Sequence, residues 1–452
     1  MFSKNSMDSP AFSLFGIARQ RLGVPFFSAI FLGGAVFSTL QAQTDSLVGE
    51  ATSVPLTGKT FDERSPDSNL MHSASRGAQA LREKPSGEIK SEPKLQKPIY
   101  YRLPLGDREV LAVLDVGKGT EKADLYIDFD GKGLLEDVKG IEGVDLLKDR
   151  TPESPYAHFK FGPVTLPKSE AAVAGPVEVM LSCSVSKKAG NSIPYLRITP
   201  QKYVTGKLRM GSSERTVAFV DGSYTGRFQP FQADPSAREP AMVQVHRKGA
   251  SMMAVDLNSN GHFDWRGEVS PLVDMVRIDG KYFHVSVSPD GSQASFQEAK
   301  PELGILDTEC PGMEMFVVSD KCAALLTSNA DGKWELPVGK YTSGGFVLSR
   351  VEGDIKWTLE GSDPSPAMRA IEIKPGTPVV IALGTPLALN YSLDQNRGNS
   401  AETVSIGLNV TGKSGETYSA GAEKNQRREP EPLFTIQSEA GENLAEGKFE
   451  YG

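Results

Sequence analysis

Cysteine is scarce, with three in 452 residues: Cys183, Cys310 and Cys322. That excludes a disulfide-stapled scaffold, and their spacing makes neither a Cys-x-x-Cys pair nor a zinc set. Cys183 alternates with apolar residues in Val177–Val185 and reads as a small core residue, whereas Cys310 and Cys322 are near enough in sequence to bridge in an oxidising compartment. Histidine is as sparse. His72, His158, His246, His262 and His284 are dispersed, and the chain holds no His-Glu-x-x-His and no Gly-x-Ser-x-Gly, which excludes the metalloprotease and serine-hydrolase patterns. No amphipathic stretch of ten or more residues follows residue 42, so no helix is available to a phosphate-cradling glycine loop. Positive charge is outnumbered, 49 Lys and Arg against 57 Asp and Glu, for a net charge of -8. Lys4, Arg19 and Arg21 against Asp8 give the first 42 residues +2, which leaves about -10 on residues 43–452. A phosphate-backbone partner needs clustered cations, so nucleic acid is not an expected partner.

What the chain does contain is organised from its start. Leu22–Leu40 is a nearly uncharged apolar run behind Arg19 and Arg21, with Leu40-Gln41-Ala42 a fitting cleavage site, so residues 1–42 read as a secretory signal peptide. An uncleaved anchor is the competing reading, since such a run just crosses a bilayer. No later segment spans a membrane, and secretion, the periplasm or the cell surface is the expected location. Residues 43–98 are rich in Ser, Thr, Lys, Glu, Pro and Gly and poor in apolar residues, which predicts a disordered tether. From Ile99 onward the apolar pattern has period two, with Asp-Gly turns at Asp130, Asp279 and Asp290. The expected class is all-β and multidomain: an antiparallel β-rich domain over 99–300, then small sandwiches over 301–385 and 386–452.

Within the second of these, Trp334-Glu-Leu-Pro337-Val-Gly339-Lys-Tyr341 resembles the Trp-x-Leu-Pro-x-Gly-x-Tyr turn of carboxypeptidase-regulatory-like (transthyretin-like) sandwiches. The resemblance covers roughly residues 305–390 and implies a small β-sandwich module without catalytic residues of its own. The last segment has an immunoglobulin-like strand pattern but no Cys–Trp–Cys signature.

The chemistry concentrates in one template, apolar-Asp-x-polar-x-polar-Gly-x-apolar, which occurs three times. Its fullest copy is Asp256-x-Asn258-x-Asn260-Gly261-His262-x-Asp264, with Glu268 beyond. Calcium takes hard oxygens from alternate loop positions, and a glycine at the sixth permits the turn. Asp256, Asn258 and Asn260 fill the first, third and fifth positions, the carbonyl of His262 the seventh and Asp264 the ninth. Glu268 comes one residue after the twelfth. The loop resembles the EF-hand-like calcium loops of dockerin and thrombospondin type-3 repeats, without their repeat architecture. In a second copy Asp128 and Asp130, with Glu136 or Asp137, supply the oxygens, but Lys132 at the fifth position repels a cation. The third, Asp221-x-Ser223-x-Thr225-Gly226, offers one carboxylate and reads as a hairpin. The competing reading of all three is an Asx turn, in which the side chain caps its own backbone.

Two functions fit this pattern. The first is a non-enzymatic binding or structural protein of the envelope, rigidified by calcium, with an envelope polysaccharide or protein as partner. The second is a secreted polysaccharide hydrolase with accessory C-terminal sandwiches, which needs two convergent carboxylates and an aromatic platform from residues such as Trp265, Trp334, Trp357, Tyr224 and Tyr282.

Overall fold

The computed structural model describes residues 46–47, 50–61, 67–106, 108–117, 122–148, 151, 153–167, 176–187, 193–232, 245, 249–264, 267–397, 402–419, 421–438 and 440–449. The expected signal peptide, His246 and Trp265 lie outside them. The chain is all-β, and among the described residues no helix is long and apolar enough to cross a membrane.

Residues 43–98, expected as a tether, hold paired strands instead. These are β1 (Ser46–Leu47), β2 (Thr52–Pro55), β3 (Thr57–Thr60), β4 (Arg76–Gly77) and β5 (Gln79–Ala80), with the six-residue helix α1 (Ser68–Ser73) between β3 and β4. Composition misleads here because edge strands are ordered by backbone hydrogen bonds to distant strands, which a scarcity of apolar side chains does not forbid. The few apolar residues present are well used. Val54, Leu70 and Met71 are buried, and Phe61 stacks on Tyr203 with ring centroids 4.4 Å apart.

One plan then occurs twice. In the first occurrence β6 (Pro98–Leu105), β7 (Arg108–Val116), β8 (Ala123–Ile127) and β9 (Ile141–Glu142) form a sheet in the order β5-β6-β7-β8-β9. A second sheet, β10-β11-β12-β13-β4, is built from β10 (Val144–Asp145), β11 (Tyr156–Thr165), β12 (Glu178–Ser186) and β13 (Leu196–Pro200). Period-two alternation puts Leu103, Leu114 and Leu125 of one sheet and Phe159, Leu181 and Ile198 of the other into a common core.

In the second occurrence β14 (Lys202–Met210), β15 (Ser213–Val220), β16 (Met252–Val255) and β17 (Val269–Pro271) form β17-β16-β15-β14-β3. They share a core with β18 (Met275–Ile278), β19 (Lys281–Val287) and β20 (Gln293–Lys300), on whose edge β2 adds. The correspondence is close. Each occurrence has a leading strand pair divided between its two sheets: β4 joins β13 and β5 joins β6, just as β2 joins β20 and β3 joins β14. Each first hairpin turns at a glycine of positive φ, Gly106 at 64° and Gly211 at 60°. Each third strand runs into an aspartate whose N–H donates across the sheet over 2.9 Å, Asp128 to Leu111 and Asp256 to Thr216. A short return strand then pairs back, Leu125 with Ile141 and Ala254 with Val269.

The remaining strands continue the second occurrence without a break at residue 301. They are β21 (Leu303–Asp307), β22 (Met313–Val318), β23 (Cys322–Leu326), β24 (Lys333–Pro337), β25 (Gly339–Glu352), β26 (Ile355–Asp363), β27 (Ile371–Ile373) and β28 (Val379–Val380). Parallel pairing of Met275 with Cys322 joins β18 to β23, so one sheet crosses the expected boundary. The small sheet β24-β21-β28 contributes Leu306, Trp334 and Leu336 to the same core as Met313, Met315 and Phe346 of the large sheet. In the Trp334–Tyr341 segment the Tyr341 hydroxyl donates to the Pro337 carbonyl at 2.9 Å, which clamps the Leu-Pro-x-Gly turn.

The C-terminal strands are β29 (Ala388–Arg397), β30 (Glu402–Thr411), β31 (Thr417–Tyr418), β32 (Glu423–Lys424), β33 (Arg427–Arg428), β34 (Leu433–Gln437) and β35 (Asn443–Lys448). β31 pairs with β26, and Val410 and Tyr418 pack into the preceding core, Tyr418 edge-on to Phe346 at 5.4 Å. The boundary expected at 386 is therefore bridged as well. Cys183, Cys310 and Cys322 are all buried and none is in a disulfide, so the Cys310–Cys322 bridge that their proximity in sequence allows does not form. Cys322 is fixed on β23, while Cys310 lies in the turn before β22, its Sγ beside Gly384.

Candidate functional site

The Asp256 loop is built by its own side chains. Asp256, the first residue past β16, is buried, and its two carboxylate oxygens accept from Asn260 N and Gly261 N, each at 3.1 Å. Asn258 Oδ1 accepts from Asn260 N at 2.9 Å, and Asn260 Oδ1 accepts from His262 N at 2.8 Å. Successive alternate oxygens are thus turned into the loop. The backbone allows this because Ser259 and Gly261 take positive φ, 59° and 81°. Phe263 is buried beneath, and its carbonyl accepts from Asn69 Nδ2 at 2.8 Å, which ties the loop to the helix of the leading segment. Asn258 Nδ2 donates to Asp264 Oδ2 at 3.1 Å, so the third and ninth positions meet. His262 is exposed, and its predicted contribution is a backbone carbonyl.

Glu268 does something the spacing rule did not anticipate. Its Oε1 accepts from Leu257 N at 2.8 Å and Asn258 N at 3.1 Å, and its Oε2 from Asp264 N at 3.0 Å. The carboxylate clamps the two arms of the loop from below. Burial pushes its pKa up, with the Asp264 charge adding to that, against the pull of the three N–H groups. The sequence signal was the acid standing one position late.

The Asp128 loop repeats the first bond, Gly133 N to Asp128 Oδ2 at 2.9 Å, and Gly133 has φ 71°. Its further positions differ. Asp130 Oδ1 caps Lys132 N at 3.0 Å, and Lys132 Nζ pairs with Asp130 Oδ2 at 2.9 Å. That ammonium and its backbone N–H hold the exposed Asp130 carboxyl at about 2. Asp128 Oδ1 is buried and meets no hydrogen-bond donor among the described residues. The third loop has the same first bond, Gly226 N to Asp221 Oδ2 at 2.7 Å, and Ser223 bonds both Asp221 and Thr225. It closes a compact turn, but not the hairpin expected of it, because the next described strand after β15 is β16, beginning at Met252. Burial raises the Asp221 pKa.

Only the first two loops occupy equivalent places in the repeated plan, at the ends of β8 and β16. Their donor sets are oxygen throughout, the chemistry of a hard cation. Among the described residues no three His, Cys, Asp or Glu side chains cluster to hold a metal ion, so any cation at Asp256 relies on amide and backbone oxygens beside its carboxylates.

The aromatic platform required of a hydrolase is not assembled from the described candidates. Tyr224 is buried with its hydroxyl donating to Ala74 and Ile198 carbonyls, Tyr282 donates to the Glu335 carbonyl, and Trp334 Nε1 donates to Thr327 O. Trp357 lies under Lys424, 5.5 Å from ring centroid to Nζ. No protein-family model, no curated protein and no solved structure matches this chain.

Proposed function

We propose that this chain is an exported, non-enzymatic binding or structural protein of the cell envelope, in which the Asp256 loop holds calcium as a brace at the end of β16. The observation that carries the reading is the loop's bonding pattern. Backbone N–H groups fix Asp256, Asn258 and Asn260 so that their remaining lone pairs, with Asp264 and the His262 carbonyl, supply the oxygens a calcium ion takes. Bound there, the ion screens Asp264 from Glu268 and fastens the strand end to its return strand. An affinity of about 10⁻⁴–10⁻³ M is typical of extracellular sites.

The test is a thermal melt of the whole chain with excess calcium and with chelator. At calcium about a hundredfold above Kd the stabilisation is about 2.7 kcal/mol. Asp256→Ala is expected to abolish that rise and also to cost roughly 2–3 kcal/mol in chelator, because two backbone donors lose a charged acceptor. A melting temperature indifferent to calcium reduces the loop to an Asx turn and overturns the metal part of the reading. Turnover of a polysaccharide that a single carboxylate substitution abolishes overturns the non-enzymatic part.

A further inference from the structure

The outward face of the sheet β10-β11-β12-β13-β4 carries a groove of about 630 Å³, within the size range of ligand sites. Its lining follows from strand alternation. On β12 the residues Val179, Leu181, Cys183 and Val185 point into the core, which leaves Ser182, Ser184 and Ser186 facing out. Cross-strand register sets Lys160 opposite Ser182 and Ser182 opposite Arg197, a row across three strands. The next row sets His158 opposite Ser184, with Nδ1 and Oγ 2.9 Å apart. His72 enters from α1 at one end. Tyr195, exposed, lies over the sheet at Gly77, where a Cβ would meet its phenolic oxygen at 2.0 Å, and Tyr156, also exposed, stands on β11.

Lys160, Arg197, two imidazoles, three serines and two exposed tyrosines therefore converge on one groove, and among the described residues its lining holds no carboxylate, the nearest being Asp145, which accepts from His158 N at 3.1 Å. In a chain of net charge -8, counted with neutral histidines, the described lining carries two formal positive charges, Lys160 and Arg197. Lys160 and Arg197 sit two strands apart, so their backbones are separated by roughly 10 Å. An oligomer bearing repeated negative charges meets the two cations with separate groups. Hydroxyls beside charged groups, with exposed phenol rings at the margin, suit sugar rings better than bare phosphate.

We propose that this groove binds an acidic glycan, an oligosaccharide carrying carboxylate or sulfate groups, along the row Lys160–Ser182–Arg197. The proposal deepens the reading of the chain as a binding protein and rests on it, but uses none of the loop residues. The histidines add a pH dependence. His158 is faced by Asp145 from β10, Lys160 along its own strand, Ser184 from β12 and Arg197 from β13, and His72 by Arg197. Burial lowers both imidazoles, and the Arg197 charge lowers them further, while Asp145 partly restores His158. An arriving anion favours the imidazolium forms, so binding takes up protons and tightens as pH falls through the histidine range.

The experiment is calorimetric titration of the whole protein with a sulfated hexasaccharide, an oligogalacturonate, a neutral cello-oligosaccharide and inorganic sulfate, at low and high salt. At least one acidic oligosaccharide is expected to bind, more weakly at high salt and more tightly at lower pH. Arg197→Glu and Lys160→Glu are each expected to weaken it at least about tenfold. The calcium response and melting temperature of these variants stay as in the parent, because both side chains lie on the outer face. Absence of binding overturns the proposal, as does equal binding of the neutral sugar, equal binding of inorganic sulfate, or binding indifferent to both substitutions. If the glycan fails while the calcium-dependent melt persists, the brace at Asp256 stands without the groove. If the glycan is bound and cleaved, the non-enzymatic reading falls and the groove remains.

Discussion

Asp128 and Asp256 hold the same place at the end of a third strand, yet the same substitution is expected to act on them in opposite directions. Both oxygens of Asp256 accept a backbone N–H, so Asp256→Asn turns one amide N–H₂ against a donor and should cost about 1–3 kcal/mol in chelator. At Asp128 one oxygen serves Gly133 and the other has no donor among the described residues. Asp128→Asn keeps the first bond, removes a buried charge and places its amide N–H₂ where the neighbouring Asp130 carboxylate can accept, so it should be neutral or stabilise by up to about 1 kcal/mol. Chemical denaturation of the two variants side by side reads the difference in sign. The loop glycines divide in a similar way. Nothing lies within 4 Å of a Cβ at Gly261, so Gly261→Ala carries only the left-handed backbone penalty, about 1–2 kcal/mol. At Gly133 a Cβ would lie 1.9 Å from the Glu88 carbonyl oxygen, so Gly133→Ala should be far more damaging at nearly the same φ. Glu268 sets a pH dependence. Its folded pKa is raised, so the folded chain binds the proton more tightly, and this contribution to stability falls as pH rises from the ordinary glutamate range through the raised value. The part of the pH dependence that disappears in Glu268→Gln, measured in chelator, should have that sign.

At the scale of elements, the leading strands are the part least expected from composition and most open to test. β2 covers an edge of β20 and β3 an edge of β14, and Val54 and Phe61 are buried with them. Removing residues 46–61 uncovers both edges and takes away two buried apolar side chains, with a loss of at least about 3 kcal/mol. The exposed edges should also promote self-association, visible by gel filtration. A true tether would be removed without either effect. The Asp-x-polar-x-polar-Gly template was readable as a recurring unit because each copy needs the same residue types to make the same first bond. That two of the three copies close equivalent strands was not readable, since it depends on which strands pair. The groove on β10–β13 was missed for a related reason. Lys160, Ser182 and Arg197 are unremarkable one at a time, and alternation along each strand hints only at which way they face.

For the whole molecule, acidity argued against a nucleic-acid partner, and yet the net charge conceals a face on which Lys160 and Arg197 stand in one row. Electrostatic attraction at that face acts within about a Debye length, roughly 10 Å at 0.1 M salt, so distant carboxylates are screened from it. The divisions expected at 301 and 386 rested on the rhythm of turns, and sheets cross both because a strand's partner is chosen by backbone geometry and not by proximity in sequence. The sequence by itself determined what is local. Period-two apolar alternation imposed strands, Asp-Gly and Asn-Gly steps imposed turns, and the spacing of Asp256, Asn258 and Asn260 imposed alternate oxygens around a glycine. Tertiary structure alone decided what is non-local: the seating of the leading strands, the repetition of one sandwich plan, Glu268 as a clamp, and the row Lys160–Ser182–Arg197 across three strands. The reason is that side-chain direction follows from neighbouring residues, whereas register between strands is fixed only when the two sheets close over a shared core.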